Sequence, residues 1–115
     1  MGNPAKRKVS AWETAIVTFL RKHGKRAQRI PAGSTDDQGD IFVADPVWPA
    51  IQAKNCQRFE LASWVRDANT QAVNASRTTG VVWVKKRGST DPGEGYVIMD
   101  GRSFVRLMEG TTGGK

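Results

Sequence analysis

Two short apolar segments constrain this chain most. Gly39-Asp40-Ile41-Phe42-Val43 is followed, twelve residues after its aspartate, by Ile51-Gln52-Ala53-Lys54. Both read as strands, and Asp45-Pro46 supplies the turn between them. Side chains alternate across a strand, so Gln52 and Lys54 share one face while Ala53 points to the other. Asp40 opens the first strand at a position where packing gives no reason for an acid. If the strands pair, two oxygen-bearing side chains and an ammonium converge on one point. Phosphodiester hydrolysis needs such a grouping: hard oxygens to hold Mg²⁺ and a cation near the attacked phosphate.

Size and charge narrow the partners. A chain of 115 residues supports one modest core. It lacks the run of about 18 apolar residues that would cross a bilayer, so no membrane association is expected. Met1-Gly2-Asn3-Pro4-Ala5-Lys6-Arg7-Lys8 is charged but leads into no apolar segment, which argues against a secretory signal. Cys56 is the single cysteine, so no internal disulfide forms, and a reducing, cytoplasmic setting is expected. With His23 the single histidine, a zinc site is excluded, and any metal must be held by oxygen. Residues 1–30 carry eight basic groups against Glu13 alone, which accounts for the whole net charge of +7. A basic end of this kind fits phosphate contacts, and basic solubilising tails are its ordinary counterpart.

Along the chain, residues 1–9 read as a mobile basic arm, 10–109 as the folded domain and 110–115 as a disordered tail. Trp12, Ala15, Ile16, Phe19 and Leu20 recur at helical spacing and predict a helix over Ala11–His23, stopped at Gly24. Strands follow at Arg26–Ile30, Ile41–Ala44 and Ala50–Lys54, with a polar loop over Pro31–Gln38. Leu61, Trp64, Val65, Ala68, Ala72 and Ala75 form the stripe of a second helix over Glu60–Arg77. Val81–Val84 and Tyr96–Met99 are further strands, and Ser103–Met108 a last short helix. The order α-β-β-β-α-β-β-α predicts an α/β domain with a mixed central sheet flanked by helices.

Several residues carry two readings. Glu13 sits at the edge of the packed helix face and would supply a further oxygen ligand. Ser10-Ala11-Trp12-Glu13 also fits a capping box, which spacing alone favours and which would occupy the carboxylate. Asp40 is a ligand or a solvated turn residue after Gly39. Asp36 and Asp37 read as surface turn residues, with Asp37 the reserve ligand. Gln52 and Lys54 also fit an ordinary exposed strand face. Lys85-Lys86-Arg87 closes a strand and either grips a phosphate backbone or is simply solvated. Trp48, Trp64 and Trp83 are expected in the core rather than as base-stacking platforms, and Cys56 has no catalytic role.

These elements resemble the PD-(D/E)xK nuclease superfamily, and in size and layout the small Holliday-junction resolvases of archaea and phages. The resemblance rests on Trp12-Glu13, on Arg29 with the Gly33-Ser34 loop, on Gly39-Asp40-Ile41, on Ile51-Gln52-Ala53-Lys54 and on the Glu60–Arg77 helix. It covers roughly residues 10 to 85; the individual motifs are short, and their order and spacing carry it. It implies a restriction-endonuclease-like domain. The implied activity is Mg²⁺-dependent endonuclease cleavage of branched or duplex DNA, with Mn²⁺ as an alternative ion and no small-molecule cofactor. Glu13, Asp40 and the Gln52 carbonyl would hold the metal, which would activate the attacking water and steady the leaving oxygen. Lys54 would stabilise charge on the phosphate. Lys6, Arg7, Lys8, Arg26, Arg29, Ser34, Lys85 and Lys86 are the expected DNA contacts. One departure is that the family usually places Glu where this chain has Gln52, a variant similar to that of Mrr-type restriction nucleases. An amide oxygen binds a hard cation but brings no charge. Symmetric cleavage of a junction further implies a two-fold dimer, with the second helix or the Val81–Val84 strand as its surface.

Overall fold

In the computed structural model, residues 4–31 and 36–111 are described, with side chains over 7–31 and 36–110. Helix α1 runs from Pro4 to Lys22, followed by strands β1 (Ala27–Arg29), β2 (Ile41–Val43) and β3 (Ala50–Lys54). Helix α2 (Leu61–Asn74) leads to β4 (Gly80–Val84), β5 (Tyr96–Ile98) and helix α3 (Gly101–Thr111). The strands form a five-stranded sheet in the order β1-β2-β3-β4-β5. All neighbours are antiparallel except β3 and β4, which run parallel with Gln52 beside Val82 and Lys54 beside Val84. A parallel pair needs a long crossover, and α2 is that connection. The domain is thus α/β in the predicted order.

The two faces of the sheet are covered by different helices. Trp12, Ile16, Val17 and Leu20 of α1 pack with Ala27, Ile41, Val43, Ile51, Ala53, Val81 and Trp83. Trp64 and Ala68 of α2 pack with Val82 and Val84 on the opposite face. Gly80 lets α2 press close, since a Cβ there would stand 2.0 Å from the Ala68 carbonyl oxygen. Both buried indoles are satisfied: Trp12 Nε1 donates to the Trp83 carbonyl and Trp83 Nε1 to that of Pro92, each at 3.1 Å. Trp64 and Trp83 are therefore core residues, and Trp48 packs against the core partly buried.

Three boundaries differ from expectation. Residues 4–9, expected in a mobile arm, belong to α1. Proline at the first helical position is pre-organised for a helix, and Ala, Lys and Arg are among the best helix formers, so the basic run extends the helix. Ser10 is consequently interior to α1 and is not its cap. Helix α2 ends earlier than predicted because Ser76 adopts a left-handed φ of 56°. That turn releases Arg77, which donates to the carbonyls of Asp45, Trp48 at 3.0 Å and Val43 at 2.8 Å, and so clamps the β2–β3 turn. At the C-terminus α3 continues to Thr111, into the segment expected as tail; residues 112–115 lie outside the described residues.

Strand β4 is buried along its whole length between β3 and β5. This removes the Val81–Val84 strand as a dimer surface, because both its faces and both its edges are occupied. Among the described residues no helix is long and apolar enough to cross a membrane.

Candidate active site

The backbone around Gly39 sets the position of Asp40. Gly39 has φ +101°, and a Cβ there would lie 2.9 Å from the Ile51 carbonyl oxygen, so glycine alone allows this approach of the chain to β3. Asp40 N then donates to Ile51 O at 2.8 Å. Its carboxylate Oδ2 accepts from Ala53 N at 2.8 Å. Ile41 pairs with Ile51 in the antiparallel ladder, and Asp40 N bonds to that same Ile51, which sets the Asp40 carboxylate against the β3 backbone between Gln52 and Lys54. Gln52 and Lys54 lie on the α2 face with their neighbours Val82 and Val84, while Ile51 and Ala53 enter the α1 core. The strand pairing expected of these two segments is present, and Gln52 and Lys54 share one face of the sheet as expected.

Gln52 is 9 % exposed, and its Oε1 is buried without a hydrogen-bond partner. An orphaned amide oxygen costs about 1–3 kcal/mol, which a water or cation would offset. A second such atom lies on α2. Gln71 is 4 % exposed, its Nε2 donates to Asp37 Oδ2 at 3.0 Å, and its Oε1 has no partner. Asp37 is held on two further sides, accepting from Gly39 N at 3.1 Å and, through its carbonyl, from Asn74 Nδ2 at 2.8 Å. Asp37 is exposed and closes a turn onto Gly39, as expected of a surface turn residue, and α2 ties that turn to the approach to Asp40.

Burial pushes the Asp40 carboxyl above its usual range, against the Ala53 amide, Lys54 and Arg29; Asp37 adds to the rise. Glu13 is also raised, first by burial and then by the charge of Asp40, with Arg29 opposing. The Glu13 side chain is only 12 % exposed and pairs with Arg29, whose Nη2 and Nε lie 2.9 and 3.1 Å from Oε1. The capping-box alternative for Glu13 is therefore excluded: the helix began earlier, and the carboxylate faces the sheet. Lys54 Nζ stands 5.6 Å from the centre of the Trp64 ring, a cation–π contact that steadies the ammonium. The charge of Asp40 raises Glu13, and these carboxylates and the orphaned Gln52 oxygen are hard-oxygen donors of the kind that suit a small divalent ion. Among the described residues no three Asp, Glu, His or Cys side chains gather as a metal-binding group. Glu13 belongs to α1, on the face opposite Gln52, with Asp40 within electrostatic reach of it.

The expected DNA contacts divide. Lys8, Lys85 and Lys86 line one groove beyond the end of β3, and Arg7 is exposed on the same helix as Lys8. Arg26 lies apart, in a cleft shared with Arg21 and Lys25. Arg29 is occupied on one side by Glu13. The side chain of Lys6, and Ser34 altogether, lie outside the described residues. Sequence reasoning missed Gln71, although a signal was present: a glutamine interrupts the apolar stripe of Trp64, Ala68 and Ala72. It also missed Phe59 and Tyr96, which stand beside the basic groove.

Comparison with protein-family models, with curated proteins and with solved structures returned no match for this chain.

Proposed function

We propose that this protein is a Mg²⁺-dependent, structure-selective DNA endonuclease that resolves four-way junctions by paired phosphodiester cleavage. The observation that carries the reading is the Asp40 carboxylate pinned to Ala53 N, the residue between the orphaned Gln52 and Lys54, with Lys54 near enough to favour its charge. The basic groove and the α-β-β-β-α-β-β-α order add support, and both agree with the PD-(D/E)xK resemblance.

Asp40, Glu13 and Gln52 are the residues that would hold Mg²⁺ or Mn²⁺. The ion, when bound, supplies Lewis-acid activation of the nucleophile and charge neutralisation at the phosphate. The chain's own residues do the rest. The Ala53 amide fixes the direction of the Asp40 carboxylate, and Arg29 holds Glu13 toward the same region. Lys54 places a cation where negative charge grows on the phosphate, with Trp64 restricting its sweep. Products carry 5′-phosphate and 3′-hydroxyl ends. Paired cuts require a two-fold dimer. The setting proposed is the cytoplasm, that of a bacterial host if the gene is phage-borne.

One observation favours a second reading. Gln52 contributes no charge and Glu13 is already paired with Arg29, which suits a DNA-binding module of weak catalytic power on the same fold. A restriction-type or nicking enzyme acting on duplex DNA is the alternative within the enzyme class. The test incubates a labelled four-way junction and a matched linear duplex with the protein, in Mg²⁺ or EDTA, beside Asp40→Asn and Lys54→Ala. Paired nicks on the junction alone, lost with EDTA and in both variants, are the expected result. Tight junction binding with no cleavage in Mg²⁺ or Mn²⁺ would leave only the binding module, and equal cutting of the duplex the restriction-type enzyme.

A further inference from the structure

Just past Lys54 the end of β3 opens onto a groove of about 670 Å³, within the size range of small-ligand sites. Its walls include Lys8, Lys85, Lys86 and Arg87 and the rings of Phe59 and Tyr96, and no carboxylate lines it. The two rings are 43 % and 47 % exposed although both are large and apolar. Their centroids stand 6.5 Å apart at 62°. Phe59 in turn meets Trp64 at 5.5 Å, and Trp64 carries Lys54 at 5.6 Å. A ladder of aromatic rings thus runs from the lysine of the candidate site into the groove.

We propose that this groove binds an unpaired nucleotide of single-stranded DNA, with its base stacked on Tyr96 and meeting Phe59 edge to face, and its flanking phosphates on the lysines and Arg87. Cations of one sign select a polyanion, and exposed rings select a ligand with a free π-face. Duplex DNA satisfies only the first condition, because its bases are stacked on one another. An acidic peptide also satisfies only the first. Set against the nuclease reading, on which this inference rests for its consequence, the groove makes the substrate a branch that offers an unstacked nucleotide next to the cut.

Binding in EDTA separates the groove from the chemistry. Fluorescence anisotropy is measured with labelled oligo(dT) and a blunt duplex, for the wild type, Tyr96→Phe and Tyr96→Thr, the last keeping a strand-forming residue without a ring. Loss of one stacked base weakens binding by about tenfold. Tyr96→Thr is expected to lose that factor on oligo(dT) while leaving the duplex unchanged, and Tyr96→Phe to bind as the wild type. Lys86→Ala should weaken both ligands and lower the salt slope by about one. Should Tyr96→Thr fail to fold, oligo(dT) carrying one 2-aminopurine reports stacking on the wild-type protein directly, as a fall in its fluorescence on binding. Unchanged oligo(dT) affinity in Tyr96→Thr, an equal loss on duplex, or no fall in 2-aminopurine emission each overturns the proposal. Failure of the nuclease reading looks different: oligo(dT) binding stays ring-dependent, and no branched DNA is cut in Mg²⁺.

Discussion

Asp40 Oδ2 accepts a hydrogen bond from Ala53 N at 2.8 Å, so a carboxylate on β2 is fixed against the backbone of β3 between Gln52 and Lys54. The bond orients the acid, but burial still raises its pKa, which means that the folded state disfavours the charge. A carboxyl raised on folding contributes stability below its unfolded value, near pH ~4, and loses that contribution as pH rises through the folded value. Asp40→Asn keeps an acceptor for Ala53 and removes the charge. The variant should therefore melt higher than the wild type at pH 7, with the gap closing toward pH ~4, while cleavage is lost. Mg²⁺ should raise the wild-type melting temperature and leave the variant unmoved. Calorimetry across pH, with and without Mg²⁺, reads the melting shifts, and a junction-cleavage assay reads the lost activity; a variant that melts lower at neutral pH would sink the electrostatic account.

Gln52 tests whether charge limits metal affinity. Gln52→Glu introduces a third carboxylate beside Asp40 and Glu13, which repel one another without an ion. The variant should be less stable in EDTA, and its cleavage should reach half-maximum at a Mg²⁺ concentration lower by about tenfold, the equivalent of about 1.4 kcal/mol. A Mg²⁺ titration of junction cleavage checks this. Much weaker cleavage at every Mg²⁺ concentration would count against a simple charge argument.

The element order was legible because strands and helices differ in period: Ile51 to Lys54 alternate apolar and polar, Ile41–Val43 is a short apolar run bounded by turn residues, and Trp64, Ala68 and Ala72 recur by helical turns. The shared face of Gln52 and Lys54 followed from the same rule. Glu13 was harder. Reading Lys6-Arg7-Lys8 as an arm placed the helix start at Ser10, and a false capping box followed from that single boundary. Its partner Arg29 is remote in sequence, and no local pattern reports a pairing made by tertiary packing. Phe59 and Tyr96 were invisible for the same reason: their meaning depends on residues remote in sequence meeting in one groove.

Gly39 makes the approach of Asp40 possible. Gly39→Ala meets both a positive φ and a 2.9 Å contact with backbone that cannot move aside. The cost expected is about 2–3 kcal/mol, read by chemical denaturation, with catalysis falling further than stability because Asp40 is displaced. Full activity in Gly39→Ala would show that the Asp40–Ala53 bond does not depend on this turn.

Arg77 stabilises the same hairpin from the other end through three carbonyls, and its guanidinium lies 4.8 Å from the Phe42 ring centre. Arg77→Met retains most of the packing over Phe42 and leaves the carbonyls of Val43, Asp45 and Trp48 without this donor. Hydrogen bonds to a charged group are worth about 1.5–3 kcal/mol each, and the exposed turn recovers part of that from water. A net loss of about 2–3 kcal/mol is expected. Hydrogen exchange should show the loss concentrated at the β2–β3 turn; a uniform change across the sheet would contradict the clamp.

With β4 closed off, the dimer demanded by paired cleavage must use another surface. Phe104 and Val105 of α3 are 52 % and 54 % exposed and adjacent on the helix that follows β5. Burying both in a two-fold contact would remove a patch that otherwise costs solubility. Phe104→Glu with Val105→Glu places like charges face to face across such an axis and adds nothing to the core. Sedimentation equilibrium should then give a monomer that folds as before, and junction cleavage should leave single nicks in place of paired ones. A monomeric wild type would remove the dimer itself, whereas a double variant that stays dimeric with paired cuts moves the interface elsewhere, with exposed Leu61 and Val73 of α2 the next residues to change.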